Sequence, residues 1–142
     1  MLGLLITRAE VLLLTQMLCG ETQGMEVTRG ARAAERERAV ILQLVKTRTR
    51  TSGYPRTITG VVTAEDQFAA GCDRDPGKRT KRLVHRFFAG KVAIPRWARR
   101  ALAFTTLESW RRVRKAWARR GFCRIRGTDT VHVFYEKKAS CE

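Results

Sequence analysis

The sequence predicts a mainly α fold, α+β overall, in which helices build the core and a short C-terminal β-hairpin closes the chain. Three observations carry that expectation. Apolar residues recur at helical spacing through residues 7–19, 33–48, 78–89 and 107–120. Clusters of glycine, proline and small polar residues separate those stretches. Near the end, the β-prone runs Phe122 to Arg126 and Val131 to Tyr135 flank Gly127 to Thr130, a hairpin signal. With 142 residues and a 44% hydrophobic composition, a single domain over residues 1–142 can bury its own core. No internal repeat, low-complexity tract or second domain boundary is visible in the sequence.

The first helix is expected over residues 7–19. Thr7, followed three positions on by Glu10, is a capping-box pattern ahead of an apolar run. Arg8 and Glu10 interrupt the apolar stretch from Met1 to Leu18, which falls short of the ~20 residues that span a bilayer. It is therefore read as a buried helix and not a transmembrane segment, with a cleaved signal peptide as the minority reading. Gly20, Gly24 and Gly30 make the next stretch rich in breakers. The helix at 33–48 carries Glu35 and Glu37 toward the positive end of its dipole, and Lys46, Arg48 and Arg50 at its exit. Gly53-Tyr54-Pro55 ends it, because the residue before proline is pushed out of the helical region. Residues 56–70 read as a short helical or turn-rich connection with Ile58, Val61, Val62 and Phe68 as its apolar contacts. Residues 71–77, with Asp73 and Pro76, read as a loop, and Gly90 stops the helix at 78–89. Along 107–120, Trp110, Val113 and Trp117 share one face, with cations between them.

The charge is one-sided. Twenty-nine Lys and Arg stand against thirteen Asp and Glu, a formal net charge of +16. Such a field attracts polyanions: nucleic acid, anionic lipid headgroups and anionic cell-envelope polymers all fit it. Cys19, Cys72, Cys123 and Cys141 are far apart, with only His85 and His132 to join them. None has a metal-ligand spacing, so no metal site and no cofactor is expected. The cysteines read as small hydrophobes and free thiols, since a chain able to build its own core has little need of a disulfide framework.

Glu21 follows directly on an apolar helix and is flanked by Gly20 and Gly24. A carboxylate at the edge of a core favours its neutral form, which a general acid needs. Glycosidic cleavage requires a proton on the leaving oxygen, so such a glutamate is the minimum equipment. A helix-ending glutamate in solvent is the other reading of the same residue.

The surroundings of Glu21 add to this. Leu18-Cys19-Gly20-Glu21-Thr22-Gln23-Gly24 resembles the motif around the catalytic glutamate of SleB-type cell-wall hydrolases, the spore-cortex-lytic and phage relatives. The resemblance continues in order through Ala39-Val40, Gly53-Tyr54-Pro55, Val61-Val62 and Gln67-Phe68. It ends on Trp110 and Val131-His132-Val133-Phe134-Tyr135, covering roughly residues 7–136. The sequence departs from the family at Thr22-Gln23 (usually Ala-Arg) and at Lys46-Thr47 (commonly Asn-Arg). It also departs at Ala103-Phe104-Thr105-Thr106, where two family histidines are missing.

The resemblance implies a lysozyme-like helical domain that cleaves peptidoglycan glycan strands between N-acetylmuramic acid and N-acetylglucosamine, as a lytic transglycosylase or muramidase. Glu21 would be its general acid and then its base, a route that needs no second carboxylate. Glu26 is the nearest acid for a second role, while Asp66 reads as a turn residue. The resemblance also implies substrate contacts by Gln67, Tyr54, Thr105, His132 and Tyr135. For Gln67 a solvated turn, for the two tyrosines core packing, and for His132 a structural hydrogen bond are the alternatives from the residues themselves. Anionic envelope polymers would then explain the charge, and the enzyme, made in the cytoplasm, would reach the wall after release or delivery. The competing readings are a basic nucleic-acid-binding protein and an inactive relative that binds the wall or sits in a virion.

Overall fold

Thr7 opens the first helix by the mechanism its sequence predicts. The Glu10 backbone N–H donates to Thr7 Oγ1 at 3.1 Å, and the Thr7 N–H donates to the Glu10 carboxylate at 2.9 Å. Helix α1 then runs Arg8–Glu21. The computed structural model describes residues 5–64, 67–69, 71, 72 and 75–141. Asp66 and Asp73, read as turn and loop residues, lie outside the described residues.

The chain divides into two compact units, Met1–Ile94 and Pro95–Glu142. The first is helical. After α1 come α2 (Met25–Arg29), α3 (Ala31–Thr49), α4 (Ile58–Thr63) and α5 (Gly77–Phe88). α2 lies within the breaker-rich stretch, bounded by Gly24 and Gly30, both at positive φ. α3 is the centre of this unit and packs on the other four helices. Ala39 to Val45 are buried without interruption, the signature of a helix covered on all sides. α3 begins two residues before the expected start, so Glu35 and Glu37 fall beyond its first turn. Glu35 instead meets Arg79 and Arg86 of α5 at 3.4 and 3.6 Å, and Glu37 is buried.

The second unit is a small α+β layer. A 3-10 turn at Arg96–Arg100 leads to β1 (Ala103–Thr105), α6 (Leu107–Arg119), β2 (Phe122–Arg124) and β3 (Val133–Lys137). Thr106 caps α6 by accepting the Ser109 N–H at 3.1 Å. The predicted hairpin forms, with Phe122 opposite Lys137 and Arg124 opposite Tyr135. It gains a third strand that was not foreseen, β1, so that β3 is central in the antiparallel order β1-β3-β2. Three residues are too few to show a period of two. One sheet face carries Ala103, Val133 and Tyr135 against Trp110, Trp117 and Phe122. The other gathers Phe134 with Phe104, His132 and Trp97 at ring distances of 5.6, 6.4 and 5.3 Å.

The cysteines correct the free-thiol expectation. Cys19 is bonded to Cys72, with Cα atoms 5.6 Å apart, and Cys123 to Cys141, with Cα atoms 5.3 Å apart. Each pair lies within one unit. The partners are 53 and 18 residues apart in sequence, and only the fold brings them within bonding reach.

Candidate active site

The C-terminal end of α1 contacts the segment that follows Gln67 at Ala69, Gly71 and Cys72. The Glu21 carboxylate accepts the Ala69 N–H at 2.5 Å. One turn earlier, the Gln16 side-chain oxygen accepts the Cys72 N–H at 3.3 Å. Between these two contacts lies the Cys19–Cys72 bond. Gly20 makes this close approach feasible. A Cβ added there would stand 2.9 Å from the Ala69 Cβ and 3.1 Å from the backbone N and O of Gly71. Glu21 is half-buried at this junction.

The turn that follows Glu21 is held from α3. The Thr22 hydroxyl donates to the Leu18 carbonyl at 2.6 Å and accepts from Arg38 Nε at 2.8 Å. The Arg38 guanidinium continues to the Glu26 carboxylate at 2.6 Å. The Arg38 hydrogen bond and charge hold the Glu26 carboxyl below its usual range, against a smaller opposing effect of burial. Beside this network a cavity of about 240 Å³ is lined by Cys19, Thr22, Gln23, Glu26, Arg38 and Thr80 among others.

Arg48, at the far end of α3, organises the other side of the segment. Its guanidinium lies 5.1 Å from the Tyr54 ring centre and 5.3 Å from that of Phe68, and donates to the Gln67 side-chain oxygen at 3.1 Å. Arg48 is only 4% exposed, and burial lowers its pKa from the usual arginine value. Tyr54 and Gln67 are therefore neighbours around one buried cation. Gln67 itself is exposed, and its side-chain oxygen is the atom that Arg48 engages.

The other three predicted contact residues belong to the second unit. Thr105 ends β1 opposite Val133 and is half-buried. His132 is 6% exposed, edge-on to Phe104 at 5.0 Å, and its carbonyl accepts the Thr130 hydroxyl at 2.7 Å. Tyr135 is 1% exposed and packs on Trp117 with ring centres 4.5 Å apart. Both rings are buried within the second unit, which for Tyr135 is the core-packing alternative.

From the sequence Arg38 was not singled out and Arg48 was read only as a cation at the helix exit, although a signal was present. Ala34, Arg38, Ile41, Val45 and Arg48 recur at spacings of four and three, placing both arginines on an apolar stripe of α3. A cation on such a stripe has to find partners inside. No protein-family model, curated protein or solved structure matches this chain.

Proposed function

We propose that the chain cleaves the glycan strand of peptidoglycan, with Glu21 as a lone general acid and base. The observation that carries this reading is the setting of Glu21. It is a half-buried carboxylate at the end of an apolar helix, beside a segment tethered by a disulfide, a buried arginine and the Gln16 side chain, and itself accepts the Ala69 N–H. Such tethering limits the freedom of an acid that has to meet one oxygen.

Glu21 gives its proton to the oxygen bridging N-acetylmuramic acid and N-acetylglucosamine, and the C1–O bond breaks as positive charge develops on the sugar. In the transglycosylase route the muramic 6-hydroxyl attacks C1, and Glu21 takes back the hydroxyl proton, leaving a 1,6-anhydro end. The Gln67 amide nitrogen is suited to an N-acetyl carbonyl, with its oxygen already engaged by Arg48. Glu26 is held as an anion by Arg38, which disfavours it as a second acid. Thr105, His132 and Tyr135 have no role in this proposal. Two disulfides also support action in an oxidising compartment, outside the reducing cytosol.

The test is lysis of purified peptidoglycan by the wild type and by Glu21→Gln. Loss of a general acid lowers the rate by about 10²- to 10⁴-fold. Equal lysis by both proteins would remove Glu21 from the mechanism, and no lysis by either would favour a wall-binding role. Mass spectrometry of the fragments separates the routes, because only transglycosylation leaves 1,6-anhydro ends.

A further inference from the structure

The second unit holds a groove that the glycan-cleaving reading does not use. It encloses about 530 Å³ between α6 and the β2–β3 edge, within the ~300–1,000 Å³ usual for small-ligand sites. Its lining is cationic: Arg100, Arg114, Lys115, Arg124, Arg126 and Lys138 all border it. Glu136, the carboxylate in this wall, is already met by Arg100 at 3.4 Å and Lys138 at 3.9 Å. Arg114, Lys115, Arg124 and Arg126 form no ion pair among the described residues. The guanidinium groups of Arg114 and Arg124 stand 5.5 and 4.6 Å from the centre of the Trp110 ring, so the indole holds both in place. Tyr135 also borders the groove, and its buried hydroxyl has no hydrogen-bond partner. Burial pushes that phenol up to about 12, which keeps it a donor at neutral pH.

A wall made of donors, with its acceptor carboxylate already neutralised, suits an oxyanion. Guanidinium forks match phosphate oxygens in geometry as well as charge, and four of these cations, Arg114, Lys115, Arg124 and Arg126, border the groove with no ion pair among the described residues. The aromatic rings argue about the rest of the ligand. Trp110 lies beneath guanidinium groups, while Trp117 packs on Tyr135 and Phe122. The rings that border the groove are thus each already engaged by a cation or another ring, unlike the open rings on which nucleobases stack.

We propose that this groove binds the phosphodiester groups of a polymer that carries no aromatic bases, a phosphate-linked polyol chain of the cell envelope. Only the cellular source of the polymer rests on the glycan-cleaving reading; the phosphate chemistry stands without it.

The experiment uses the full chain, carrying Glu21→Gln so that binding is measured apart from cleavage. The probes are a synthetic six-unit glycerol-phosphate oligomer and a single-stranded DNA of equal charge, titrated calorimetrically at two salt concentrations. The oligomer is expected to bind more tightly than the DNA. Arg124→Gln and Arg126→Gln should each weaken it by about tenfold, the scale of one charge-assisted hydrogen bond. Arg126 has no aromatic contact to lose, so its variant isolates charge from packing. An unchanged affinity in both arginine variants would overturn the built site in favour of diffuse charge attraction. Equal or tighter binding of DNA, or no binding of the oligomer at low salt, overturns the proposal as well. Loss of wall lysis in the Glu21 comparison leaves these outcomes untouched, so the two readings fail separately.

Discussion

At the scale of single residues, the first unit depends on two arginines that α3 carries on its inner face. Arg48 lies against two aromatic rings and the Gln67 amide. Lysine could not reproduce this, since a point charge lacks both the planar face and the fork. Arg38 holds the turn after Glu21 through Thr22 and Glu26. Because the Glu26 carboxyl is held below its usual value, its pairing stabilises the fold above the ordinary carboxylate pKa. That contribution fades as the pH falls through the lowered folded-state value. Urea unfolding at pH 7 and pH 3 should show a smaller acid-induced loss for Glu26→Gln than for the wild type. Glu26 is 47% exposed in its side chain, so solvent screening keeps this difference modest. An equal loss in both proteins would mean that Glu26 plays no part in the acid response.

At the scale of elements, local signals were legible where a helix shows both its period and a side-chain cap, whereas α3 opens on Gly30 without one, two residues before its expected start. Thr7 with Glu10 marked the start of α1, and Trp110, Val113 and Trp117 marked the inner face of α6. Short elements were not legible: α2, with five residues, and β1, with three, are held by their neighbours more than by their own periodicity. The contact between α1 and the 67–72 segment is likewise tertiary. Gly20 gives it a test. Alanine there would gain about 0.5–1 kcal/mol in helix propensity. It would also press on the Ala69 Cβ and the Gly71 backbone, an overpacking cost of about 1–3 kcal/mol. The expected outcome for Gly20→Ala is a lower urea midpoint together with slower lysis of peptidoglycan, because the Glu21–Ala69 contact is displaced. A raised midpoint with unchanged lysis would show that the segment yields freely.

At the scale of the whole molecule, the chain is two compact units, each closed by its own disulfide. In the chain-entropy view, removing the longer loop closure costs more. Replacing Cys19 and Cys72 by serine should cost about 4 kcal/mol, and replacing Cys123 and Cys141 about 3 kcal/mol. Denaturant unfolding of the two double variants checks the order, which reverses if native-state packing, rather than loop length, sets the effect. The positive charge is also divided. Thirteen Lys and Arg against four Asp and Glu fall within residues 95–142, the unit that holds the cationic groove. No helix among the described residues is long and apolar enough to cross a membrane. By itself the sequence determined the mainly α class, the helix periods and caps, the C-terminal hairpin and the excess of cations. Each of these is a property of neighbouring residues or of composition. The tertiary structure alone decided which cysteines bond and that the chain divides in two. It also decided that His132 and Tyr135 are core residues, and that Glu21, Gln67, Tyr54 and Arg48 converge on one segment. Those outcomes depend on which distant residues meet, and a pattern of nearest neighbours carries no record of that.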